Sequence, residues 1–126
     1  FALDRITALE VKKHKYIYPS EFLPSEFFEP YFGITAQTGE EPEAITLRVY
    51  DELRGYLKSL PIHHSQEILE EDGDSMTVSV KVAPTFDFIQ EILSHREQLE
   101  VLKPESLRYK IYSIISKMSD LYRGVK

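Results

Sequence analysis

Several groups in this sequence are of residue types that carry chemistry. His63 and His64 stand side by side and are followed by Ser65 and Gln66. Adjacent histidines suggest a metal ion, but neighbours in extended chain point to opposite faces and cannot share one ion. The alternative is that one ring packs while the other caps a helix end or bonds backbone. His64 and Ser65 are also the residue types of nucleophilic catalysis. A triad, however, needs an orienting acid and an oxyanion hole, and no residue here marks either. Ser65 and Gln66 can contact a ligand or satisfy a helix-to-strand turn, and the structural role is favoured. Arg5 offers the planar donor fork that suits phosphate or carboxylate; its alternative is pairing with Asp4 or Glu10. Arg108 is placed in the first turn of the last helix, where the helix N-terminus favours anions. A salt bridge, for example to Glu105, is the alternative there.

The remaining charged runs say less. Lys12, Lys13 and Lys15 can track a phosphate backbone with Tyr16 and Tyr18 stacking on bases, or form a solvated turn. Glu70, Glu71, Asp72 and Asp74 lack the spacing of a calcium loop. No paired carboxylates, metal cluster or Gly-rich phosphate loop is present, so neither an enzyme nor a metal or cofactor site is expected.

The chain of 126 residues is the size of one ordinary domain, with 42% hydrophobic and 29% charged residues. A net charge of −6 argues against a uniformly basic nucleic-acid binder but leaves room for a local basic patch. Without cysteine there is no disulfide, thiol nucleophile or thiolate metal site, which fits a reducing cytoplasm. No apolar run approaches the ~18 residues that span a membrane. The chain opens on Phe1 within strand-like sequence, as a fragment of a longer protein would.

The elements that must position these residues can be read in order. Residues 1–11 read as a strand that cannot fold alone, and Tyr16-Ile17-Tyr18 as a short return strand. Residues 19–43 form a linker with four prolines and five aromatics, Phe22, Phe27, Phe28, Tyr31 and Phe32. So aromatic a stretch is expected to dock on a neighbouring surface. Residues 44–50 alternate, with Ile45, Leu47 and Val49 on one face. Asp51 is expected to cap a helix bearing Leu53, Tyr56, Leu57 and Leu60 on its inner stripe. A hairpin follows: residues 66–71, a turn at Asp72-Gly73, and a strand with Met76, Val78, Val80 and Val82 alternating. Thr85 opens a second helix with Phe88, Ile89, Ile92 and Leu93 buried. Leu99 and Val101 mark a last strand, stopped at Pro104. The final helix carries Leu107, Ile111, Ile114, Ile115, Met118, Leu121 and Tyr122 at helical spacing. The order βαββαβ, with one helix added, predicts an α+β fold: a ferredoxin-like four-stranded antiparallel sheet under two crossover helices.

Several of these segments, in this order, resemble the C-terminal part of bacterial WYL-domain transcriptional regulators. Leu3-Asp4-Arg5-Ile6 is similar to the "LDRI" strand that closes the family's Sm-like barrel, and Phe32-Gly33-Ile34 to the "FGI" linker after it. Pro61-Ile62-His63-His64-Ser65-Gln66 resembles the "WHxSQ" segment of the C-terminal extension, the WCX domain. Asp72-Gly73 matches its hairpin turn, and residues 101–108 its "VLxPxxLR" segment. Two features depart from the pattern: Ile62 or His63 replaces the usual Trp, and the Trp-Tyr-Leu signature is absent. The resemblance implies closing strands of a barrel at 1–18, a linker at 19–43 and a WCX domain at 44–126. It also implies a ligand-sensing and dimerising region that controls an upstream helix-turn-helix reader of duplex DNA. The effector expected is single-stranded nucleic acid or a nucleotide, contacted by Arg5, His64, Gln66 and Arg108. A structural dimerisation module without a ligand of its own is the alternative.

Overall fold

A computed structural model describes residues 3–34, 36, 39 and 41–125. Phe1 and Ala2 of the expected first strand, Thr35, Gln37, Thr38 and Glu40 of the linker, and Lys126 at the end of the expected WCX domain lie outside the described residues. The elements are α1 (Pro24–Phe28), β1 (Glu43–Tyr50), α2 (Leu53–Ser59), β2 (Glu67–Glu71), β3 (Ser75–Val82), α3 (Phe86–Ser94), β4 (Leu99–Lys103) and α4 (Glu105–Leu121).

Strict alternation makes β1 and β3 the centre of the molecule. Ile45, Leu47 and Val49 on β1 and Met76, Val78, Val80 and Val82 on β3 are fully buried. Paired antiparallel, with Leu47 opposite Val78, the two strands put all seven side chains on one face. The sheet order is β2-β3-β1-β4, with every neighbouring pair antiparallel. That is the ferredoxin-like arrangement expected from the element order. Leu53 and Leu57 of α2, Phe88, Ile89 and Ile92 of α3, and Leu107 and Ile111 of α4 fill the same core. Burying side chains of this size contributes about 1.5–3 kcal/mol each relative to exposure, so this single layer carries the stability.

The hairpin turn is built by its own acid. The Asp72 Oδ1 accepts the Asp74 and Ser75 amides at 2.8 and 2.7 Å. Those two backbone bonds, Ser75's first, hold the Asp72 carboxyl below its usual range. Arg54 donates from Nη1 to the carbonyls of Asp72 and Gly73, tying α2 to the turn.

The end of the linker docks through Phe32, while Phe27 and Phe28 stay exposed and pack with Phe22 and Tyr31 inside the linker. The Ala83 amide donates to the Pro30 carbonyl at 2.8 Å. Phe32 meets Phe88 edge-on at 5.7 Å between ring centres. Gly33 has φ +73°, and a Cβ there would sit 2.7 Å from Asp87 Oδ2, so glycine alone fits. That close approach lets the Ile34 amide donate to the same carboxylate at 3.0 Å.

Three expectations are corrected. Among the described residues of the N-terminal segment, Leu3–Arg5 is a 3-10 turn and no strand forms before β1. Extended chain needs a ladder partner for its backbone groups, and this chain supplies none there. Asp51 does not cap α2; it takes φ +51°, and its carbonyl accepts from the Arg54 amide and Nε. The helical stripes also run further than burial does: Tyr56 on α2 and Leu60 just beyond it, and Ile115, Met118, Leu121 and Tyr122 on and just beyond α4, are exposed.

Candidate functional site

The segment between α2 and β2 uses its polar side chains internally. The Gln66 carboxamide donates from Nε2 to the Leu57 carbonyl at 2.8 Å and accepts the Ile62 amide at Oε1, 3.1 Å away. It thereby satisfies a carbonyl left over at the end of α2 and ties down the chain after Pro61. Ser65 Oγ accepts the Lys81 amide at 2.8 Å and lies 3.3 Å from the Lys81 carbonyl, fastening the segment to β3.

His63 joins that segment to the docked linker. Its Nε2 is 3.2 Å from the Glu29 carbonyl, and its Nδ1 is 2.7 Å from Ser65 Oγ and accepts the Ser65 amide at 3.3 Å. These partners fit the neutral ring with the proton on Nε2. Burial lowers the His63 pKa, and the neighbouring His64 ring adds to the effect against the pull of Glu29. His64 stacks on His63 with ring centres 4.0 Å apart and faces the Glu29 carboxylate at 3.2 Å. The ring beside a serine hydroxyl is thus that of His63, and its other nitrogen meets a main-chain carbonyl and no acid. Among the described residues no group of three or more His, Asp or Glu side chains could hold a metal ion.

A second constellation lies at the other edge of the sheet. The Pro104 stop places Arg108 in the first turn of α4, beside β4. Its Nη1 donates to the Val101 carbonyl at 2.8 Å, and its Nη2 pairs with Glu100 Oε1 at 2.9 Å. Tyr50 donates its hydroxyl to the other oxygen, Glu100 Oε2, at 2.9 Å. The register sets Glu100 and Thr77 on either side of Arg48, with Glu70 beyond Thr77. One row of side chains therefore crosses the sheet face opposite the core: Glu100, Arg48, Thr77, Glu70. Arg48 Nε is buried without a hydrogen-bond partner.

The charges in this row respond to one another. Burial pushes the Glu100 carboxyl up, but hydrogen bonds from Tyr50 and Arg108, with the charges of Arg108 and Arg48, leave it below its ordinary range. Its hydrogen bond to Glu100 raises the Tyr50 hydroxyl above the ordinary value, with burial and the Glu100 charge adding and Arg48 opposing.

Arg108 also borders two openings. A cleft of about 280 Å³ runs past Arg96, Glu100, Arg108, Tyr112 and Ile115. A second opening is lined by Glu105, Arg108, Tyr109 and Tyr112. Tyr109 and Tyr112 are 72% and 65% exposed, with rings 6.5 Å apart, so two aromatic faces stand free next to a guanidinium. Further along α4, an apolar trough of about 440 Å³ is lined by Ile92, Leu99, Ile111, Ile115, Met118 and Tyr122.

The four residues singled out in the sequence do not converge. Arg5 sits in the exposed N-terminal turn. His64 and Gln66 lie just before β2, and Arg108 lies beyond β4, at the opposite edge of the sheet. Three strand spacings, about 14 Å, separate those edges. Arg108 has the ion pair anticipated as its alternative, with Glu100 and not Glu105. Sequence reasoning passed over Arg48, Tyr50, Glu100, Tyr109 and Tyr112. Alternation was the available signal for three of them: Arg48 and Tyr50 fall between the buried residues of β1, and Glu100 between those of β4.

Residues 41–119 match the family model of the WCX domain. No curated relative matches the chain. The match begins just before β1, takes in every strand and ends within α4. It covers well over half of the chain, which therefore belongs to the WCX-domain family, the C-terminal part of WYL-type regulators.

Proposed function

We propose that this chain is the effector-responsive, dimerising part of a bacterial, cytoplasmic transcription regulator, and that its effector is single-stranded nucleic acid or a nucleotide. The observation that carries this reading is the grouping of Arg108 with the exposed Tyr109 and Tyr112 beside the 280 Å³ cleft. A guanidinium for phosphate next to free aromatic faces for bases is how single strands are held without reading their sequence. A net charge of −6 confines such binding to a local patch. Arg5, in the exposed N-terminal turn, supplies a second phosphate contact. Residues 1–18, whose described part forms no strand here, are read as segments that pair into the closing strands of a barrel only when the rest of a longer regulator, with a helix-turn-helix reader of duplex DNA, supplies their partners.

The response would be a population shift. α4 is anchored by Leu107 and Ile111 near its start, while its far half is exposed. A ligand gripped at Arg108 and Tyr112 favours one placement of α4 on β4 over others, and the reading domain follows. Fluorescence anisotropy of a labelled single-stranded oligonucleotide at low salt tests the reading. The native chain should bind. Arg108→Ala and Tyr112→Ala should each weaken binding about tenfold, the size of one charge-assisted contact or one base stack, and Arg5→Ala should weaken it less. Absence of binding by the native chain sinks the reading.

The exposed far half of α4 favours a second reading, a dimerisation module with no ligand. Ile115, Met118 and Tyr122 border the apolar trough, and a second copy related by a two-fold axis would cover them. Sedimentation would then show a dimer that Met118→Glu dissociates and that oligonucleotide leaves unchanged.

A further inference from the structure

The trough between α3, β4 and the far half of α4 has apolar walls and one charged border. Ile92, Leu99, Ile111, Ile115 and Met118 line it, and among the described residues the only charged ones on its lining are Arg96 and Glu97. Both come from the 3-10 turn, Arg96–Gln98, that joins α3 to β4. A volume of about 440 Å³ lies within the range that takes small-molecule ligands. The neighbouring charges already have partners: His95 faces Glu91 at 3.0 Å, Arg108 pairs with Glu100 at 2.9 Å and Arg123 with Asp120 at 2.9 Å. Among the described residues, neither the Arg96 nor the Glu97 side chain has an ion-pair or hydrogen-bond partner. Arg96 also holds φ +53°, in the left-handed region just past the end of α3 that glycine would occupy at lower cost.

These charges select the ligand. A carboxylate suits the planar fork of Arg96, but Glu97 beside it repels a simple anion. A ligand that carries one charge of each sign meets both side chains and leaves its apolar part for the trough. We propose that the trough binds an apolar zwitterion, a free α-amino acid or a dipeptide with apolar side chains. Its carboxylate pairs with Arg96, its ammonium with Glu97, and its side chains lie against Ile92, Ile115 and Met118. The site goes beyond the nucleic-acid reading and does not rest on it, although Arg96 and Glu97 border the neighbouring cleft as well.

The test uses the isotopically labelled full chain, with L-phenylalanine and L-leucyl-L-phenylalanine as probes and the methyl resonances of Ile92, Ile115 and Met118 as the readout. At least one probe should shift them saturably, and the one that does so sets the size of the occupant. Arg96→Gln should weaken that binding about tenfold, the size of one charge-assisted contact, and so should converting the probe's carboxylate to an amide. The two changes together should cost little more than either alone, because they remove the same contact. Glu97→Gln and N-acetylation of the probe should form a second such pair. Arg96→Gly should weaken binding while its urea midpoint holds, since glycine suits φ +53°, so that lost binding is not lost fold. No saturable shift with either probe overturns the proposal. Equal affinity for the N-acetylated amide, which carries neither charge, overturns it as well. Methyl shifts that follow chain concentration and ignore both probes also overturn it, and assign the trough to a second copy. Oligothymidylate binding decides the nucleic-acid reading and not this one, so the two fail separately.

Discussion

Replacing Gln66 by alanine separates a structural from a ligand-holding role for that residue. Its carboxamide closes two backbone groups at once, the Leu57 carbonyl at 2.8 Å and the Ile62 amide at 3.1 Å, next to the buried Ile62 side chain. Each neutral hydrogen bond is worth about 1 kcal/mol net, and leaving its half-buried partner unmet adds to the loss, so the cost should be about 2–3 kcal/mol. With a urea dependence of about 1.5 kcal/mol per molar, the unfolding midpoint should fall by about 1.5 M. Gln66→Glu is the sharper control: it keeps an acceptor for the Ile62 amide but sets a carboxylate against the Leu57 carbonyl, so it should cost at least as much as alanine. Oligonucleotide affinity of the folded variants should be unchanged. A stability loss below about 0.5 kcal/mol, at the level of an ordinary surface substitution, would refute the structural assignment, the more so if ligand binding were lost with it.

Gly33→Ala should undock the linker while leaving the sheet intact, because the added Cβ meets the Asp87 carboxylate at 2.7 Å. Hydrogen exchange should quicken at the Ala83 and Ile34 amides and stay slow in β1 and β3; slow exchange at both amides would contradict the docking role. His63 is depressed below its ordinary value of 6.5, so the unfolded chain takes up a proton first as pH falls. Stability should therefore decline from about pH 6.5 down through the folded-state value, and His63→Gln should flatten that limb in a pH series of urea melts. Glu100 is held below its ordinary 4.5, so its contribution is present above that pH and lost as pH falls through the folded value. Arg108→Ala should shrink this acid-limb loss, and an acid limb identical to the native one would show that the ion pair does not act.

The sheet was legible in the sequence because strand alternation is a local signal. Ile45, Leu47 and Val49, and the four alternating residues of β3, announce a buried face wherever the partners come from. The hairpin was legible for the same reason, since Asp72-Gly73 sets its own turn. The stripe on α4 was legible only as amphipathicity. Period 3.6 marks a face that wants cover, and this chain covers Leu107 and Ile111 but not Ile115, Met118 or Tyr122. The strand expected at residues 1–11 failed differently: its composition suits a sheet, but pairing is a tertiary property. Linker docking was foreseen from the aromatics, of which Phe32 meets the core, yet its anchor, Gly33 against Asp87, joins residues 54 positions apart that no local pattern connects. The site was least legible. Arg48, Tyr50 and Glu100 become neighbours only through the β1–β4 register, and the sequence shows them merely as the polar half of two alternations.

The central claim is that the outer face of α4, where it meets β4, receives the effector. Mapping amide shifts of the isotopically labelled full chain during titration with unlabelled oligothymidylate tests it most directly. Shifts should concentrate at Glu100, Val101, Arg108, Tyr109 and Tyr112, with little change from His63 to Glu71. Shifts confined to the β2 edge around His64 and Gln66, or none at saturating oligonucleotide, would contradict the claim.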